Sequence, residues 1–92
     1  MAYAIRLAPA AARQLRKLAP AERQRIVSHI DSLADDPRPD GCKKLKGPGN
    51  LYRIRVGHFR IVYRIEEDEL IVLVAAVGNR RDIYEEIERL LR

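Results

Sequence analysis

The stretch Leu51-Tyr52-Arg53-Ile54-Arg55-Val56-Gly57-His58-Phe59-Arg60-Ile61-Val62-Tyr63-Arg64 constrains this chain more than any other. Apolar and cationic side chains alternate along it with the two-residue period of a β-strand, and Gly57-His58 breaks the alternation at its centre. A two-residue turn there sets Val56 opposite Phe59, Arg55 opposite Arg60 and Ile54 opposite Ile61. Tyr52, Ile54, Val56, Phe59, Ile61, Tyr63 and Ile65 then share one face, and Arg53, Arg55, Arg60 and Arg64 share the other. A slip of one residue would push arginines into the core without partners, so the register is strongly specified. It also sets two arginines directly against each other, which destabilises a sheet unless an anion lies between them. Guanidinium forks suit phosphate oxygens, while the plainer alternative is that their long stems splay into water.

The flanking segments supply the rest of a small fold. Tyr3-Ala4-Ile5-Arg6-Leu7 reads as a short first strand ending before Pro9. Ala11, Leu15 and Leu18 then recur at helical spacing until Pro20, which suits the first turn of a second helix carrying Ile26, Ile30 and Leu33. Asp35-Asp36-Pro37 stops that helix, so the two form a helical hairpin. Arg38 to Asn50 reads as a loop with a turn at Gly47-Pro48-Gly49. Leu51–Val56, His58–Ile65 and Leu70–Val77 are expected to form an antiparallel meander. A turn at Glu67-Asp68 would set Ala75 opposite Arg60 and Leu73 opposite Val62. Ile83, Ile87, Leu90 and Leu91 predict a short amphipathic helix over Asp82 to Leu91. The fold class is therefore α+β within the broad α/β group: strand, helical hairpin, three-stranded meander and terminal helix.

A chain of 92 residues has room for one domain, 1–92, with its chemistry on the surface of a single core. Cys42 is its only cysteine, so no intramolecular disulfide staples it and a reducing, cytoplasmic setting is expected. The longest apolar run, Leu70 to Val77, falls far short of the roughly 20 residues that cross a bilayer, and no signal-peptide core opens the chain, so no membrane partner is expected. Charge is unevenly placed. Residues 1–65 hold 14 basic and 5 acidic side chains, whereas residues 66–92 hold 4 basic and 8 acidic. Between Lys43 and Arg64 there are seven basic residues and no acidic one, the pattern of a surface that holds a polyanion, although a solubilising face would share it.

The same stretch, followed by an acidic turn, an apolar strand and Val77-Gly78-Asn79-Arg80-Arg81-Asp82-Ile83-Tyr84, resembles the RelE/ParE superfamily of toxin–antitoxin toxins, in its RelE branch. The helical hairpin and the Lys43-Lys44-Leu45-Lys46-Gly47 segment fall in the family's order, so the likeness covers nearly the whole chain. It implies a RelE-like fold and a ribosome-dependent endoribonuclease that cuts mRNA in the A site and is neutralised by a cognate antitoxin. Cleavage in that family proceeds by attack of the RNA 2′-hydroxyl on the adjacent phosphate, leaving a 2′,3′-cyclic phosphate and a 5′-hydroxyl, with no metal or other cofactor. It further implies operator DNA contact only through the antitoxin.

Carried over by motif position, Arg60 and Arg80 are candidates for stabilising transition-state charge, with Arg55 beside them. Tyr84 is the candidate for stacking on or orienting a nucleotide, with a possible proton-transfer role. Arg53, Arg55, Lys43, Lys44, Lys46 and Arg81 are candidates for holding RNA. Arginine stands where some relatives have lysine, and a guanidinium scarcely deprotonates, so the general base stays open. Arg81 is a further candidate for it, and Asn79 stands where relatives often carry a basic residue or histidine. His58, near the arginines but in a turn, is a weaker candidate, and His29 reads as an ordinary helix residue. Cys42 has no partner at metal-ligand spacing. Tyr52 and Tyr63 fall on the apolar face and read as core. Two other functions fit the family: a ParE-like DNA gyrase inhibitor without nuclease activity, and a catalytically degenerate toxin serving as co-repressor.

Overall fold

The computed structural model describes residues 2–46 and 49–79. The expected helix over Asp82 to Leu91, the Gly47-Pro48 pair and the candidates Arg80, Arg81 and Tyr84 lie outside them. Strand β1 (Ala4–Leu7) leads into helices α1 (Pro9–Arg16) and α2 (Pro20–Ser32), followed by β2 (Lys43–Lys44), β3 (Leu51–Val56), β4 (Phe59–Glu66) and β5 (Ile71–Gly78). The strands form one sheet in the order β1-β5-β4-β3-β2, with β1 parallel to β5 and the other pairs antiparallel. The α+β class and the element order match the sequence expectation, with β2 as an additional strand. A two-residue strand is too short to show alternation, and it lies in a segment whose Pro and Gly read as loop.

Both helices cover one face of the sheet. Ala11 and Leu15 of α1, Ile26 and Ile30 of α2 and Leu33 just beyond it are buried against Ile54, Val56, Ile61, Tyr63, Ile65, Val72, Val74 and Val77. The β3 and β4 positions among these belong to the apolar set of the hairpin, with Tyr52 and Phe59 packed at its margin. Proline opens each helix at its first position, where a missing N–H is harmless. The α1 helix stops at Arg16, and the Arg23 guanidinium donates to the Leu15, Arg16 and Leu18 carbonyls at 2.9 to 3.2 Å. A cation there satisfies carbonyls that have no helical partner and opposes the negative end of the helix dipole.

The β3–β4 register is the expected one, with Val56 opposite Phe59, Arg55 opposite Arg60 and Ile54 opposite Ile61. Gly57, at φ 61°, takes the left-handed conformation that this turn needs. The β4–β5 register departs from expectation. Arg60 faces Gly78 and Val62 faces Ala76, in place of Ala75 and Leu73. The connection is a four-residue loop, Glu67 to Leu70, rather than a two-residue turn at Glu67-Asp68. Leu70 adopts φ 54°, and its carbonyl accepts from Ala4 N–H at 2.8 Å, which ties the loop to β1. A two-residue turn would have set Glu66 directly opposite Glu69, a like-charge pair that the longer loop avoids. A bulge between Val62 and Tyr63 then shifts the pleat by one residue, so Val72, Val74 and Val77 all reach the helix-covered core. Beyond the end of β1, the Gln14 side-chain oxygen accepts from Val77 N–H at 2.6 Å, supplying a partner that β1 does not reach.

Polar ties close the sheet's far end. Glu67 accepts from the Tyr3 hydroxyl at 2.8 Å and pairs with Arg38, whose guanidinium also lies over the Tyr52 ring at 5.2 Å. The Arg38 guanidinium holds the Glu67 carboxyl below its usual range. Tyr63 is fully buried, stacks on Tyr52 at 5.9 Å between ring centroids, and donates its hydroxyl to the Pro37 carbonyl at 2.7 Å. Burial, followed by the neighbouring Cys42, pushes the Tyr63 phenol well above its ordinary value. Tyr63→Phe is therefore expected to lower stability by about 1 kcal/mol at neutral pH, read as a shifted urea midpoint at constant slope. A raised phenol pKa stabilises the fold fully below the unfolded value and loses that stabilisation as pH rises. The gap between the two proteins should therefore narrow above about pH 10.

Candidate nucleic-acid interface

The face of the sheet opposite the helices carries the arginines, and the register arranges them in rows. One row runs Lys43, Arg53, Val62, Ala76 across β2, β3, β4 and β5. The next runs Arg55, Arg60, Gly78, and a third Leu51, Arg64, Leu73. Side chains directly opposite on one face have Cβ atoms only about 4.5–5.5 Å apart, so Lys43 with Arg53 and Arg55 with Arg60 are two like-charge pairs in adjacent rows. Between the cations lies a small apolar patch. Leu51, Val62 and Ala76 are buried there, with Leu45 packed against them.

The arginines differ in what they already bind. Arg64 reaches Glu66 at 3.3 Å, a half-exposed pair at the end of the patch. Arg53 and Arg60 are half-buried, and the Nε atom of each is buried with no hydrogen-bond partner among the described residues. Arg55 is exposed and lines an open cleft of about 340 Å³ with His29, Ser32, Pro39, Asp40, Gly41 and Ile54. A buried donor without an acceptor is costly, and two of them within one cationic patch suit an incoming anionic oxygen. Arg60's cross-strand neighbours, Arg55 and Gly78, cannot take up a proton. Within the described residues this face can therefore bind and neutralise anionic oxygen but supplies no general base next to Arg60.

The other candidates separate by position. Lys43 shares the arginine face through its pairing with Arg53, whereas Lys44 pairs with Tyr52 and so falls on the helix-bearing side. Lys46 is exposed in the loop after β2. His58 lies in the β3–β4 turn and lines a small hollow with Glu22, Arg25, Ile26, Val56 and Phe59, toward α2 and away from the arginines. Tyr52 and Tyr63 sit on the core side, as expected of an apolar-face pair. His29 is exposed on α2, and its Nδ1 lies 2.9 Å from the Arg25 carbonyl oxygen. Among the described residues no three His, Cys, Asp or Glu side chains gather as metal ligands, and no helix is long and apolar enough to cross a membrane. What sequence reasoning missed on this face is Gly78, whose place opposite Arg60 depends on a loop length and a bulge that the sequence leaves ambiguous.

Comparisons with known proteins agree with this architecture. Residues 5–84 match the family model described as ParE toxin of type II toxin–antitoxin system, parDE. The mRNA interferase toxin RelE of Escherichia coli K12 is 28% identical over 96 aligned positions, covering 99% of this chain and all of that protein. A mutant E. coli RelE toxin in the free state superposes with a TM-score of 0.81 at 27% identity, over 99% of this chain and all of its own. The RelBE2 toxin–antitoxin complex of Mycobacterium tuberculosis contains a chain that matches with a TM-score of 0.76 at 27% identity, over 87% of this chain and all of that one.

Replacing one member of the facing pair should separate stability from binding. Arg55→Thr removes the repulsion and adds a strand-favouring side chain, so we expect a gain of about 0.5 kcal/mol in urea unfolding at low salt. The gain should shrink as salt screens the pair, while retention on an immobilised polyanion falls.

Proposed function

The chain belongs to the family of ParE toxins of type II toxin–antitoxin systems, and we propose that within it the protein is a RelE-type mRNA interferase. On this reading it enters the ribosomal A site, cuts mRNA there and so arrests translation in the cytoplasm. A cognate antitoxin neutralises it and mediates any contact with operator DNA. The observation that carries the reading is the facing Arg55–Arg60 pair beside Arg53, with buried, unpartnered Nε donors on Arg53 and Arg60. The full-length likeness to E. coli RelE, which is named an mRNA interferase, supports it.

The chemistry needs no group beyond RNA and protein. The 2′-oxygen loses its proton and bonds to phosphorus, the bond from phosphorus to the 5′-oxygen breaks, and that oxygen takes up a proton. The products are a 2′,3′-cyclic phosphate and a 5′-hydroxyl. Negative charge builds on the non-bridging oxygens as the fifth bond forms, and Arg60 is placed to neutralise it, with Arg80 as its partner. Arg53, Arg55 and Lys43 hold the flanking phosphates, with Lys46 and Arg81 as outer contacts to RNA, whereas Lys44 falls on the other side of the sheet. Tyr84 stacks on or orients the nucleotide at the cut. Since arginine stays protonated, catalysis rests on charge neutralisation and alignment, and the ribosome supplies the mRNA in register.

A second reading is a gyrase inhibitor, favoured by the ParE description of the matching family model. Primer-extension mapping of a reporter mRNA in a translating extract, beside a gyrase supercoiling assay, decides between them. Codon-phased cuts that require translation and vanish in Arg60→Ala are expected. Intact mRNA with blocked supercoiling would move the protein to the gyrase reading, and silence in both assays to that of a co-repressor. Four phosphate contacts, by Lys43, Arg53, Arg55 and Arg60, predict a log–log salt slope of roughly −3 for single-stranded RNA. Each substitution to glutamine should flatten it by about 0.7.

A further inference from the structure

On the arginine face, the β5 side chains shrink toward Arg60. Leu73 stands opposite Arg64, Ala76 opposite Val62 and Gly78 opposite Arg60. Glycine is a poor strand residue, since it has no side chain to pack and loses the most conformational freedom on ordering. Its usual justification is a left-handed backbone, as at Gly41, Gly49 and Gly57, all of positive φ, but Gly78 is not among the positive-φ glycines. It is the last residue of β5, so no left-handed conformation calls for glycine there. The remaining physical reason for a strand glycine is close approach by another group.

The neighbourhood identifies what approaches. Arg60 has Arg55 on one side and Gly78 on the other, and its buried Nε–H has no acceptor among the described residues. The side toward Arg55 is occupied by that residue's own side chain, whereas the side toward Gly78 carries none. We propose that Gly78 is a positioning residue of the substrate site: its missing side chain forms a notch in which an RNA phosphate seats beside Arg60. The proposal rests on the interferase reading and deepens it by giving the scissile phosphate a place. A side chain at residue 78 would fill the notch and hold the phosphate out of the guanidinium's reach.

The test uses Gly78→Ala and Gly78→Val. Neither requires a new backbone conformation, and valine favours strands, so urea midpoints should equal or exceed that of the parent protein. The first probe is a short single-stranded RNA with 2′-O-methyl groups, which cannot be cut, titrated while the arginine Nε–H resonances are followed by NMR. In the parent, the Arg60 and Arg53 signals should both move. In Gly78→Val the Arg60 response should vanish while that of Arg53 persists, with affinity falling about tenfold, as expected on losing a charge-assisted hydrogen bond. Gly78→Ala should fall between. The second probe is codon-phased cleavage in the translating extract, which should fall in the same order.

Unchanged RNA response and cleavage in a folded Gly78→Val would overturn the proposal. So would a urea midpoint that drops in step with binding, since the glycine would then serve the fold. Should valine prevent folding, Gly78→Ala decides by the same criteria. If the parent protein fails to cut mRNA yet Gly78→Val still silences the Arg60 signal, the interferase reading falls and the phosphate notch stands. If the parent cuts and both variants cut equally well, the notch falls alone.

Discussion

Burying one face of the β3–β4 hairpin gives its arginines no choice of side. The alternation of Tyr52, Ile54, Val56, Phe59, Ile61, Tyr63 and Ile65 with cations couples two outcomes that are usually separate, the core and the charged surface. Once the Gly57-His58 turn sets Val56 against Phe59, packing the apolar set under α1 and α2 aligns Arg55 with Arg60 on the open side. The same step lines up Arg53 with Val62, and β2 adds Lys43 to that row. The hydrophobic effect, which is large and non-directional, thus drives side chains into an arrangement that their own electrostatics oppose. The difference between those magnitudes is why the register holds.

That arrangement violates a local rule of sheet stability, and such violations tend to mark functional sites. Like charges face each other twice, two guanidinium Nε donors are buried without acceptors among the described residues, and a glycine ends β5 opposite Arg60. Each feature by itself lowers stability or contributes nothing to it. Together they fit one missing component, an anion with several oxygens. Elsewhere the same molecule pairs its polar groups carefully: Arg23 caps α1, Gln14 completes β5 beyond β1, and Tyr63 finds the Pro37 carbonyl from inside the core. The contrast between satisfied groups on the helix side and unsatisfied ones on the arginine side separates scaffold from site.

The hairpin and its two faces were legible in the sequence because period two, a glycine turn and the cost of burying arginine all favour one register. The helical hairpin was legible for a similar reason, since Pro20 both ends one apolar stripe and begins the next. The β4–β5 register was not, because Glu66 to Leu70 contains no glycine or proline to mark where the chain reverses. Leucine is an unusual choice for positive φ, yet Leu70 takes it, held by its carbonyl bond to Ala4. The bulge opposite Val62 and Tyr63 leaves no local mark either, because Val-Ala-Ala-Val packs equally well with either pleat until Val74 and Val77 must both reach the core. The chief consequence of the loop and the bulge together lies at the site: they exchange Ala75 for Gly78 as the neighbour of Arg60.

The preference for arginine on this face has a chemical corollary. Lysine in the same rows would meet the same repulsion but could relieve it by releasing a proton, and a neutral lysine could then act as a base. Arginine scarcely deprotonates, so the facing Arg55 and Arg60 cannot relieve their repulsion in that way. The face is therefore suited to gripping phosphate and stabilising charge as it develops, whereas the proton must be moved by other groups. On the interferase reading, that division places binding and electrostatic stabilisation on the sheet, where a displacement of even an ångström would be costly, and leaves proton transfer to groups assembled around it when substrate is bound.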